Sequence, residues 1–104
     1  MIYTTGVWTV RQGSEDEFVR IWQEMAETMA REYAGLVPRL LRDLEDPQRF
    51  FSIAGPWKDS EQVSEALVSE QFEGARKALQ GHLESIAIST YEPVAEVQIG
   101  RAHV

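Results

Sequence analysis

At 104 residues the chain is long enough for one domain and no more, and a domain of that size hides only about 60–70% of the surface of its extended chain. Seventeen Asp and Glu against ten scattered Lys and Arg give a net charge of −7, which excludes a nucleic-acid surface built on clustered cations. The absence of cysteine excludes a disulfide framework, thiolate catalysis and Cys-ligated zinc.

No run approaches the ~18 apolar residues of a membrane span. The opening MIYTTGVWTV lacks the basic and apolar regions of a signal peptide and reads as a strand, so a cytoplasmic protein is expected. Ile2–Arg11 is rich in Thr, Val, Tyr and Trp, residues that favour strands. Ser14-Glu15-Asp16-Glu17 has the form of a capping box, with a Ser hydroxyl at the cap and a Glu three residues on. Phe18, Trp22, Met25, Met29 and Tyr33 then recur at spacings of 4, 3, 4 and 4, one face of an amphipathic helix that Gly35 stops. Leu36–Leu44 reads as a second strand, Glu45–Gln48 as an Asp-Pro turn, and Arg49–Ala54 as a third strand. Asp59 is placed to cap a short helix running to Leu67. Ser69 is placed to cap a second segment, with Phe72, Ala75, Leu79 and Leu83 as its core face. Ser85–Glu92 reads as a fourth strand, and Val94–Ile99 as an edge strand or an arm. One domain over residues 1–99 with a loose tail at 100–104 is the expected organisation.

The order β-α-β-β-α-β specifies an α+β fold, the ferredoxin-like sandwich. It has a four-stranded antiparallel sheet with helices on one face. In a monomer the other face should be polar, yet alternation makes neither face so. On the first strand Ile2, Trp8 and Val10 oppose Tyr3, Thr5 and Val7; on the third, Phe51, Ile53 and Trp57 oppose Phe50 and Ala54. An open sheet with Phe50, Val7 and Tyr3 in water is an apolar patch. A second copy packing sheet on sheet relieves it, so a homodimer through that face, closing an α/β barrel, is expected.

The stretch Phe51…Trp57-Lys58-Asp59-Ser60-Glu61-Gln62-Val63…Ser69-Glu70-Gln71-Phe72 resembles the antibiotic biosynthesis monooxygenase superfamily, also called dimeric α/β-barrel proteins. Ala34-Gly35-Leu36 stands where the family has Pro-Gly-Phe, and Asp46-Pro47 matches its turn. The resemblance covers roughly residues 5–90. The family's fold hosts several chemistries, so site residues carry over one at a time. The His that the family often carries about nine residues after the Trp is Ala66 here. The Asn, Trp and His of its haem-degrading branch fall on Gly6, Ala66 and Arg76, which argues against haem degradation. Of the quinone-forming branch's Asn, Tyr and Trp, the first two fall on Ile53 and Val63, and only the last is retained, as Trp57.

These readings give a candidate site at the corner between sheet and helices. The resemblance puts Trp57 in a cleft wall, where it competes with a plain core role. Trp22, Met25, Met29 and Phe72 suit the wall of a pocket for a flat apolar molecule as well as they suit a core. Tyr3, Tyr33 and Tyr91 are open to the same two readings. His82 is the candidate base, histidine being the residue type suited to general-base work; its competing role is a helix-end His that complements the dipole. Arg76, with Arg39 behind it, is the candidate stabiliser of an anionic intermediate, though both also read as surface residues near acids. His103 in the tail is a weaker candidate than His82. No His-carboxylate metal motif and no phosphate-binding glycine loop occurs, so neither a metal nor a nucleotide cofactor is expected. Two functions fit: a cofactor-independent monooxygenase acting on an apolar, aromatic or polyketide-like molecule, and a non-catalytic or stress-associated ligand-binding dimer of the same fold.

Overall fold

The structure, a computed structural model, describes residues 1–100; His103 and most of the expected tail lie outside the described residues. The elements run β1 (Ile2–Val10), α1 (Glu15–Glu32), β2 (Val37–Arg42), β3 (Arg49–Trp57), α2 (Ser60–Leu67), α3 (Glu70–Leu79) and β4 (Leu83–Tyr91). The four strands form one antiparallel sheet in the order β2-β3-β1-β4. This is the ferredoxin-like arrangement, with the second helical region split in two. β4 starts two residues earlier than its composition suggests, taking Leu83 from the expected helix. Val94–Ile99 forms no strand and leaves Val94, Val97 and Ile99 exposed.

Local rules account for most element ends. Asp59 Oδ1 accepts from the backbone N–H of Gln62 at 2.9 Å, and Gln62 Oε1 accepts from that of Lys58 at 2.8 Å, closing the start of α2. Ser69 Oγ accepts from the N–H of Phe72 at 3.2 Å and donates to the carbonyl of Ala66 at 2.7 Å. That one hydroxyl ends α2 and begins α3. After α1 the chain turns through Gly35 at φ 86°, the left-handed region that a side chain disfavours. Ser14 departs from expectation: its side chain caps nothing on α1 and instead lies 2.9 Å from His82 Nδ1.

The core lies between the helices and one face of the sheet, in two clusters. In the first, Phe18 from α1 stacks between Trp8 and Phe50, at centroid distances of 5.4 and 4.9 Å, with Val10 and Leu79 fully buried beside them. The second joins Met29, Leu36 and Trp57 to Val63, Ala66 and Phe72. Between the two lies the cavity described below.

β3 corrects two sequence expectations. Ile2 pairs with Trp57 and Thr4 with Ala54, so β3 spends three residues where β1 spends two. The extra residue at Gly55-Pro56 is a bulge, and with a side-chain period of two it reverses the faces beyond it. Trp57 therefore leaves the side of Phe51 and Ile53 and turns under the helices, where it is buried. Phe50, expected in water, is also buried under the helices. Phe51 lies exposed on the uncovered face between its register partners Leu41, also exposed, and Val7.

Truncation should distinguish core from surface. Leu79→Ala, at a side chain only 1% exposed, should cost about 2–5 kcal/mol and lower the melting temperature by on the order of 10 °C or more. Leu44→Ala, at a side chain 99% exposed, should leave it within about 2–3 °C. Equal effects in thermal denaturation would contradict this placement of the core.

Candidate functional site

A cavity of about 70 Å³ lies between the two core clusters. α1 contributes Trp22, Met25, Ala26 and Met29 to its wall. The sheet supplies Thr4, Gly6 and Trp8 from β1 and Ser52, Ala54 and Trp57 from β3. Val63, Ala66 and Leu67 of α2 and Phe72 of α3 close one end. All three tryptophans of the chain line this one space. Among the described residues, none that lines it is titratable.

The volume matches roughly five water-sized positions, and pockets for drug-sized ligands are about 300–1,000 Å³. A bicyclic or larger ligand therefore requires wall side chains to move. Met25 and Met29 are suited to that, being unbranched and flexible. Met25, half-buried, also lines a groove on the outer surface of the helices and is the described residue that the two linings share.

Two tryptophans bring polar atoms into this apolar space. Trp8 Nε1 donates to Ser52 Oγ at 2.9 Å, and Trp57 Nε1 donates to Thr4 Oγ1 at 3.1 Å. Buried indoles need such acceptors, and each finds one on the neighbouring strand. The Thr4 hydroxyl passes a long hydrogen bond of 3.4 Å to the carbonyl of Ala54. Tyr33 meets Trp57 edge-on at 5.3 Å and points its hydroxyl at Glu65, 3.4 Å away. Burial, with Glu65 and Glu32 nearby, holds the Tyr33 phenol above its ordinary pKa.

The side chains named from sequence divide into two groups. Trp57, Trp22, Met25, Met29 and Phe72 come together around the cavity. His82 and Arg76 do not. His82 lies in the outer groove beyond Met25, held by Ser14. Its backbone also ties the corner, accepting from the N–H of Arg11 and donating to the carbonyl of Leu79, both at 2.8 Å. On α3 the buried stripe is Phe72 and Leu79, and Arg76 falls on its exposed flank, 3.3 Å from Glu73. Arg39 pairs with Ile53 in the sheet, on the uncovered face, and Tyr91 is exposed at the end of β4. Tyr3 covers Gly55, where a Cβ would run into its ring. The outer groove holds a tight ion-pair group: Arg20 bridges Glu17 and Glu24, and its hydrogen bond keeps the Glu17 carboxyl below the usual range.

Gly6, Thr4 and Ser52 also line the cavity, and none is among the candidate site residues named from sequence. Gly6 carried a signal, since a glycine inside a strand often marks a close approach. A Cβ at Gly6 would lie 2.6 Å from Trp8 Nε1 and 2.7 Å from Ser52 Oγ. The missing side chain is what leaves room beside that pair.

Comparison with solved structures finds the same fold in distant sequences. A protein of Deinococcus radiodurans superposes with a TM-score of 0.82 at 17% identity, over 97% of this chain and all of that one. SnoaB, a cofactor-independent oxygenase from Streptomyces nogalater, superposes with a TM-score of 0.79 at 23% identity, over 92% of this chain and 95% of that one. An antibiotic biosynthesis monooxygenase gives 0.80 at 19% identity, over 91% and 100%. At these identities the likeness carries the fold alone. Comparison with curated protein sequences gives no match. The family model for antibiotic biosynthesis monooxygenases matches residues 1–85, which takes in β1 through the start of β4 and every wall of the cavity but Ile88, and on that match the chain belongs to the antibiotic biosynthesis monooxygenase family.

Proposed function

We propose that the protein is a small cofactor-independent monooxygenase whose substrate is an apolar, aromatic or polyketide-like molecule held in the cavity between α1 and the sheet. The observation that carries this reading is the cavity wall: three tryptophans, two methionines and Phe72, with the Ser52 and Thr4 hydroxyls accepting from two of the indoles. Family membership supports the reaction type. The chemistry suited to such a wall is oxidation of a substrate that supplies its own electrons. For an anthrone, the methylene carbon loses two C–H bonds to O₂; one oxygen atom becomes the new carbonyl and the other leaves as water. The carbanion is the electron donor, so a substrate that enolises readily is required. Among the described residues no lining side chain can serve as base, so His82 and Arg76 are not assigned to the reaction. The first proton passes to water. The protein excludes bulk water and holds the ring system in one orientation.

A homodimer through the uncovered sheet face belongs to the same proposal. Phe51 and Leu41 pair there, with Val37 further along β2, and a second copy is the occupant that satisfies them with least new surface. The wild-type protein should scatter light with twice the chain mass of 11.8 kDa, and Phe51→Glu should halve that mass. A wild-type monomer at micromolar concentration sinks the dimer.

The absence of a titratable side chain from the wall among the described residues specifically favours a second reading, a non-catalytic ligand-binding protein. Oxygen consumption separates the two. With an anthrone substrate the wild-type protein should consume O₂ well above the buffer rate and form the quinone. Ala66→Phe, at a cavity residue 1% exposed, should bring consumption down to the buffer rate, at a stability cost of about 1–3 kcal/mol. Binding without O₂ uptake across electron-rich aromatics would establish the second reading instead.

A further inference from the structure

Ser52 is the one buried polar side chain among the described residues, 8% exposed, and it lies in the wall of the cavity. Its oxygen is taken by Trp8 Nε1 at 2.9 Å. A serine hydroxyl also carries one hydrogen to donate, and no acceptor for it is found among the described residues. Directly across the β1–β3 ladder stands Gly6, its register partner. A side chain there would close the approach, since a Cβ would sit 2.7 Å from Ser52 Oγ. A buried hydroxyl with a free hydrogen thus faces a notch kept open by a glycine, in a wall otherwise nearly without polar atoms.

Resting on the cavity as the substrate site, we infer that Ser52 is the polar anchor of that site: its O–H donates to a carbonyl or enolate oxygen on the ligand's ring system, and Gly6 leaves the space that oxygen needs. The indole N–H of Trp8, by donating to the same oxygen, polarises the hydroxyl and makes it a better donor. Thr4 cannot do this equally, because its hydrogen is directed to the Ala54 carbonyl. The chemical class follows: flat, apolar ligands with a hydrogen-bond acceptor on the ring edge, oriented with that edge toward β1 and β3. Such an anchor also favours the enolate over the ketone, because a charged acceptor strengthens the bond.

The test compares two probes of one shape, 1-tetralone and tetralin, by titration calorimetry on the full chain. The wild-type protein should bind the ketone roughly five- to tenfold more tightly than the hydrocarbon, the worth of one neutral hydrogen bond. Ser52→Ala should abolish that preference while leaving tetralin affinity within about twofold. Gly6→Ala should lose it too, with the hydroxyl still present. Equal affinity of the wild-type protein for the two probes overturns the anchor and leaves the cavity reading standing. Binding of neither probe overturns both. A ketone preference that survives in Ser52→Ala assigns the donor elsewhere and overturns Ser52. Because the wild-type comparison needs no substitution, the inference stays testable even if Ser52→Ala fails to fold.

Discussion

One inserted residue in β3 decides what this domain can enclose. Up to Ala54 the strand alternates regularly, sending Phe50 and Ser52 under the helices and Phe51 and Ile53 to the uncovered face. A strand that kept that rhythm would carry Trp57 outward with Phe51. The bulge at Gly55-Pro56 reverses it, and Trp57 becomes the largest member of the second core cluster. Proline fits there because a bulge has less need of its missing N–H. Glycine fits because the Tyr3 ring lies where its Cβ would be. The division of the core in two, and the space between, both follow from that reversal.

Placing indoles in an apolar interior creates a second requirement. Each buried N–H must find an acceptor or cost about 1–3 kcal/mol. Trp8 and Trp57 meet it with Ser52 and Thr4, one strand over in each case. The hydroxyls are there for the tryptophans, yet they set the polarity that a bound molecule meets. On the proposed function, stability and recognition draw on the same four side chains. Replacing either indole would therefore change both at once.

The readable and unreadable parts of this chain separate by range. The stripe of Phe18, Trp22, Met25 and Met29, and the caps at Asp59 and Ser69, depend on residues within about a turn of one another, and the structure keeps them. Ser14 shows the limit. Its local context is that of a cap, but its hydroxyl meets His82, 68 positions away, and only the docking of β4 beside β1 brings the two together. The inward turn of Trp57 was hidden for a similar reason, since a bulge is a property of two strands and not of one. His82 and Arg76 were named for their chemistry, but where they point depends on how α3 sits on α1. The structure puts one behind Met25 and the other in solvent. Ser52 drew no notice because one serine in an aromatic strand says nothing until Trp8 is seen across from it.

The gathering of every tryptophan around one cavity gives the protein an optical property. Indole emission usually averages over sites scattered through a molecule. Here Trp8, Trp22 and Trp57 look into the same small space, and no other indole exists to dilute them. Light absorbed at the red edge of the protein spectrum is re-emitted from that space alone. The intrinsic fluorescence is therefore a label already installed at the point of interest. Its colour reports how dry the cavity is, and its intensity reports what has entered.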